Sequence, residues 1–217
     1  MPVTQYYPIG SITLPSSWIA LIAGFIVTYL FIRLYVGKVH GERVSNIFFN
    51  VIIIWKLSVV LTDFSMVIKN PLSILYFHGG TFGWILGLIV AGLLIIRQVY
   101  KEKWERKDQW ALLLAFICWQ GVYQIAMAFL NEGSHLAKSG TVLLFIAIFL
   151  LACWSERKKV NTVSELASVF VAVHFLVSAL QGNVLNTAWI TTIFIGLLMW
   201  AVERVSSQPI SRREEIE

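Results

Sequence analysis

The chain has 217 residues, 58% of them hydrophobic and only 13% charged, a mean hydropathy of +0.74 and a net charge of +5 at neutral pH. Ordinary soluble domains carry about 25% charged residues, so this composition excludes a water-soluble domain and points to a single all-α integral membrane domain. The basic residues fall into short loops between apolar runs, which argues against nucleic acid and suits anionic lipid headgroups.

Taken in chain order, the N-terminal stretch MPVTQYYPIGSITLPSS has no basic n-region, and no small-residue cleavage site follows the first apolar run. That run is therefore expected to stay as a membrane helix. A spanning helix needs about 20 mostly apolar residues. Spans are predicted over 17–36, 45–68, 81–99, 109–130, 140–154, 162–181 and 184–204, the fifth extending into the polar residues before it. Residues 1–205 then form one seven-helix domain, and 206–217 a polar tail. Arg33, Lys38 and Arg43 mark the first loop, the stretch Arg97–Lys107 the third, Arg157–Lys159 the fifth, and Arg204, Arg212 and Arg213 the tail. Of the 17 Lys and Arg residues, only Lys56, Lys69 and Lys138 lie elsewhere. Positive loops stay cytoplasmic, so the N-terminus is expected outside and the C-terminus inside. Trp18, Trp84, Trp110, Trp154 and Trp189 fall near the predicted interfaces, where tryptophan anchors a span. Cys118 and Cys153 lie within apolar runs and show neither a disulfide framework nor metal-ligand spacing. No cofactor and no metal are expected.

The polar residues inside this greasy chain are the candidate site. Lys56 lies near the middle of span two and Asp63 seven residues later, so a continuous helix would turn both to one face about 10 Å apart. A charge at such depth costs about 2.5–3.5 kcal/mol on insertion scales and marks function or a buried partner. Gln120, Tyr123 and Gln124 share one face of span four, which ends near Asn131. His174 lies in the outer half of span six. The stretch SILYFHGGTFGW, residues 73–84, places His78, Gly79 and Gly80 at the outer start of span three. It offers a titratable imidazole, open backbone and a helix N-terminus suited to phosphate. Gly83 and Gly87 also carry the small-xxx-small spacing of tight helix packing.

In order along the chain, Ile9-Gly10 with Leu14, the stretch WKLSV containing Lys56, Pro71-Leu72, Phe77-His78-Gly79-Gly80 and Phe129-Leu130-Asn131 resemble the prolipoprotein diacylglyceryl transferase family. The similarity is dispersed over most of the chain, and Phe-His-Gly-Gly is its sharpest element. The resemblance implies a multi-pass protein of the bacterial plasma membrane with seven spans. It implies a phospholipid-dependent transferase of lipoprotein biogenesis, moving a diacylglyceryl group from phosphatidylglycerol to a cysteine thiol of a prolipoprotein signal peptide. His78 would then be the base and Lys56 the phosphate partner. Gly79, Gly80, Asp63, Tyr123, Gln124, Asn131 and His174 would bind substrate. The chain departs from the pattern in several places: the family tyrosine before span one is replaced near Ser16–Ser17, and the loops are too short for the family's periplasmic head segment. Gln124–Phe129 lacks the arginine of the span-four motif, Phe170–Phe175 lacks the span-six Arg and Glu, and Lys56 stands where the span-two motif has arginine. Lysine does not reproduce the bidentate guanidinium fork.

Two other functions stay open on the same residues. One is a non-catalytic lipid- or lipoprotein-binding protein or accessory membrane protein. The other is a small transporter. A retinal-type photoreceptor is disfavoured, because span seven has no lysine for a Schiff base.

Overall fold

The computed structural model describes residues 3–10 and 12–207. A short antiparallel hairpin, β1 (Tyr6–Ile9) and β2 (Ile12–Pro15), pairs Tyr7 with Leu14 and leads directly into α1 (Ser16–Tyr35). The second span is α2 (Lys38–Leu57) continued by a short α3 (Val59–Thr62). Two more short helices follow outside it, α4 (Phe64–Lys69) and α5 (Ser73–Tyr76). Five long helices follow among the described residues: α6 (Gly80–Glu102), α7 (Arg106–Leu130), α8 (His135–Lys158), α9 (Val163–Leu180) and α10 (Thr187–Ser206).

Among the described residues seven helices are long and apolar enough to cross a membrane, and the fold is the all-α, multi-pass architecture expected. The predicted spans match them with shifted ends. Span two begins seven residues earlier, at Lys38, because its first two turns are amphipathic and escape a hydropathy count. Span five does extend through the polar stretch to His135, where Ser134 caps the helix by accepting from the Ala137 N–H. The polar tail from residue 208 lies outside the described residues.

Helix α7 is the centre of the bundle. Of its most apolar stretch 72% is buried, against 22% for α1, and it packs against α1, α2, α8, α9 and α10. Its start is set by a capping box in which Glu105 and Asp108 serve each other's backbone N–H. Thr162 and Glu165 do the same for α9. On the outside the bundle is as greasy as its core: Leu34 is 84% exposed, Leu143 68% and Leu197 64%. Such a surface is stable only against lipid. Association inside lipid rests on close packing, because hydrocarbon surrounds apolar side chains in either state.

The alternation of the spans sorts the two ends. The starts of α1, α6, α8 and α10 share one end with Lys69 and Lys138. The basic loops occupy the other, where Arg43 bonds Asp108 at 2.6 Å and Glu102 at 2.8 Å and lies over the Trp104 ring.

Candidate functional site

The site grows from a break in the second span. The helix interrupts at Ser58, whose Oγ–H donates to the Trp55 carbonyl at 2.7 Å. The same carbonyl accepts the Gly79 N–H at 3.2 Å, which docks the stretch before α6 onto α2. Gly79 and Gly83 stand directly over Ser58, and a Cβ on either would collide with its hydroxyl. One turn further, a Cβ on Gly87 would lie 2.9 Å from the Val51 carbonyl oxygen. The small-xxx-small spacing is therefore the contact between α2 and α6. Gly80 takes φ +57°, a left-handed conformation that glycine adopts without cost. That turn aims the Gly80 carbonyl at Trp55 Nε1–H, 3.0 Å away, and its N–H at His78 Nδ1, also 3.0 Å away.

His78 is held on three sides. Its ring lies 4.4 Å from the Trp55 ring and 5.9 Å from that of Trp18, centre to centre. Its Nδ1 lone pair is taken by the Gly80 N–H, which places the imidazole proton on Nε2. His78 lies between the second and third spans. Burial, and behind it the Lys56 ammonium, hold its pKa below the usual imidazole value. It is therefore neutral at pH 7 and offers an N–H to whatever lies beside it.

Beside it is a cavity of about 410 Å³, within the size range of small-molecule sites. It lies at the bundle end away from the basic loops, enclosed by the starts of α1, α6 and α10 and the later turns of α2 and α7. Four indoles, those of Trp18, Trp55, Trp84 and Trp119, are among the residues that line it. They brace one another: Trp55 meets Trp84 edge-on at 5.8 Å, and Trp84 lies 6.0 Å from Trp119. Trp84 Nε1 also donates to Thr191 Oγ1 at 2.9 Å. Polar groups enter from His78, Thr81, Gln120, Tyr123 and Thr187. Among the described residues, none lining the cavity carries a carboxylate, guanidinium, ammonium or thiol.

The structure brings some of the predicted residues together here and separates others. His78, Gly80 and Tyr123 line the cavity. Lys56 does not; its Nζ lies 5.7 Å from the centre of the ring of Trp18, which is itself a lining residue. Asp63 is exposed in the junction between α3 and α4 and accepts from Thr62 Oγ1 at 2.9 Å. The break at Ser58 removes the continuous helix that would have turned Asp63 to the face of Lys56. Gly79 is buried against Ser58 and contacts α2, leaving no room for a ligand.

Three more residues serve the scaffold. His174 is fully buried among α7, α9 and α10. Its Nδ1 lies 2.6 Å from Thr192 Oγ1, and its Nε2 lies 3.0 Å from Gln124 Nε2. Thr192 Oγ1 gives its hydrogen to the Ala188 carbonyl, so Nδ1–H donates to Thr192 and Nε2 accepts from Gln124. A neutral histidine with both nitrogens engaged is a packing element. Asn131 ends α7 and clamps the N-terminal segment: its Oδ1 accepts from the Thr4 N–H at 2.7 Å and from Ser16 Oγ–H at 2.8 Å. Gln120, one turn before Gln124, links the two regions, since it lines the cavity while its Nε2 donates to the Ala188 carbonyl.

The anchoring role predicted for tryptophan fits Trp154, which is 49% exposed, but not Trp18 and Trp84, which line the cavity, or Trp110, which is 1% exposed. Sequence reasoning missed Trp55, Trp119, Thr191 and Ser58. Trp119 beside Gln120 in the middle of an apolar span was the available signal. No protein-family model, curated protein or solved structure matches the chain, so the functional reading rests on the chemistry of this cavity.

Proposed function

We propose that this chain is a phospholipid-binding protein of a bacterial plasma membrane that holds a lipid headgroup and its glycerol ester region in the tryptophan-lined cavity. The carrying observation is the cavity's composition: about 410 Å³, four indoles, and polar donors and hydroxyls at one end of a membrane bundle. Indole suits the boundary between headgroup and hydrocarbon, because one edge is polar and the rest apolar. The clustering of the basic loops at the other end of the bundle favours an outer-leaflet lipid for this cavity. The start of α6, with its positive dipole end, and Lys56 beside the Trp18 ring favour a phosphate over a bare cation.

The transferase reaction implied by the sequence resemblance asks for more. A cysteine thiol of pKa about 8.5 must lose its proton to a base, and the departing phosphate needs strong donors as charge develops. With Nδ1 accepting from Gly80 and the proton on Nε2, His78 presents a donor to the cavity and no free lone pair. To act as base it would have to reverse its tautomer and leave the Gly80 N–H unpaired. Binding without transfer is therefore the better-supported reading, and an accessory role toward lipid or lipoprotein follows from it.

One assay separates the two. The purified protein is placed in bilayers containing phosphatidylglycerol with a peptide bearing a lipobox cysteine, and both are weighed by mass spectrometry. The proposal expects protein with bound phospholipid and an unmodified peptide. A peptide carrying a diacylglyceryl adduct, lost in His78→Gln, would overturn it in favour of transfer.

A further inference from the structure

A second polar feature lies at the opposite end of the bundle and plays no part in the cavity. A groove of about 290 Å³ runs between α2 and α6, where the basic loops cluster. Its floor is apolar, from Ile47, Ala91 and Ile95, and its walls carry Asn46 and Asn50 from α2 and Arg97 and Lys101 from α6. Each pair is spaced by four residues, so each forms one vertical row on its helix. All four side chains are exposed. Glu102 also borders the groove, but its carboxylate is engaged by Arg43 at 2.8 Å. Among the described residues no carboxylate pairs with Arg97 or Lys101.

Asn50 sharpens the point. It lies about 18 Å along α2 from Lys38, on the outer surface of a spanning helix, and makes no hydrogen bond to any described residue. A carboxamide facing hydrocarbon without a partner is costly. Two cations at the basic end, two carboxamides in a row leading inward and an apolar floor beneath them match a single kind of molecule. Its negative charge sits at the membrane surface, its ester oxygens one step deeper and its hydrocarbon deeper still.

We infer that this groove binds an anionic phospholipid from the basic-loop leaflet. Arg97 and Lys101 take the phosphodiester, Asn46 and Asn50 donate to the ester carbonyls, and an acyl chain lies along Ile47 and Ile95. Basic grooves between spanning helices on the positive side are suited to such headgroups. A zwitterionic lipid carries its own cation and gains less from the pair. The site is independent of the tryptophan-lined cavity.

The test titrates the full-length protein in neutral detergent with phosphatidylserine, with phosphatidylcholine and with inorganic phosphate, read by native mass spectrometry. The double variant Arg97→Gln/Lys101→Gln is expected to weaken phosphatidylserine binding about 25-fold, roughly fivefold per cation. Lys158→Gln/Lys159→Gln, which removes as much charge from the same end, is expected to leave it unchanged. Asn50→Leu is expected to weaken it about fivefold while keeping the helix, and it decides the matter if the double variant fails to fold. Equal binding of phosphatidylcholine, an equal loss in Lys158→Gln/Lys159→Gln, an unchanged affinity in the groove variants, or displacement of the lipid by millimolar phosphate would each overturn the inference.

Discussion

Replacing Gly83 by alanine tests the seam on which the cavity wall is built. The new Cβ would fall on the Ser58 hydroxyl, with Ser58 Cβ at 3.0 Å and the Trp55 carbonyl oxygen at 3.1 Å. The hydroxyl must swing away and lose its 2.7 Å bond to that carbonyl, a loss of about 1 kcal/mol. Overpacking adds about 1–3 kcal/mol, and the better helix propensity of alanine returns about 1 kcal/mol. The balance is a destabilisation of about 2 kcal/mol, measured as the shift in unfolding free energy in mixed micelles of increasing denaturing detergent. Ser58→Gly removes both offending atoms, so the double variant Ser58→Gly/Gly83→Ala should lie within about 1 kcal/mol of Ser58→Gly alone. Such a rescue is a coupling energy between neighbours. Strictly additive losses, or a Gly83→Ala variant as stable as wild type, would refute the packing argument.

Other outcomes follow from the same geometry. Gly87→Ala should be no less damaging and not rescuable by any side-chain change, because the atom it meets, at 2.9 Å, is the Val51 carbonyl oxygen of the backbone. Asn131→Leu strips the acceptor from the Thr4 and Ser16 donors; protease cleavage before residue 16 should accelerate about tenfold, the equivalent of roughly 1.4 kcal/mol. His78→Gln keeps an N–H donor near the Nε2 position and should hold phospholipid within about threefold, whereas His78→Phe should lose about tenfold or more, as expected for a hydrogen bond to a charged group. The pH dependence of stability has a definite sign. The folded pKa of His78 lies below the unfolded value of about 6.5, so as pH falls through 6.5 the unfolded chain takes up a proton that the folded chain refuses. Stability should therefore decline on acidification below about pH 6.5, a decline read in thermal scans and reduced in His78→Gln.

Hydropathy located the seven helices because lipid imposes a length and an apolar composition that no tertiary contact can override. The extra turns at Lys38 and His135 were less legible, since there the helix leaves the hydrocarbon and its polar residues stop registering. The site was legible in part. His78 and Gly80 could be found because an imidazole and a left-handed glycine at a span boundary have few ordinary uses. Lys56 and Asp63 failed as a pair because periodicity assumes an unbroken helix, and nothing local announced the interruption at Ser58. There the Trp55 carbonyl accepts from the Ser58 hydroxyl and from the Gly79 N–H, and the second of these partners comes from the stretch before α6. Gly79 was read as open backbone for a ligand when another helix already occupied the space. His174 and Asn131 looked functional for their cost in an apolar span, yet His174 is satisfied by Gln124 and Thr192, and Asn131 by Thr4, Ser16 and the Met127 carbonyl. The cavity itself was hidden because its four indoles come from four different helices, and only the bundle brings them to one level.

The occupant of that cavity is the central claim, and lipid retention measures it most directly. Ala188 lies in the cavity wall between Thr187 and the buried network, so Ala188→Trp fills the space while leaving the backbone carbonyl that Gln120 uses. Native mass spectrometry of protein extracted from membranes in mild detergent should find one fewer phospholipid on Ala188→Trp than on wild type, at equal thermal stability. The same number of bound lipids on both would contradict the account.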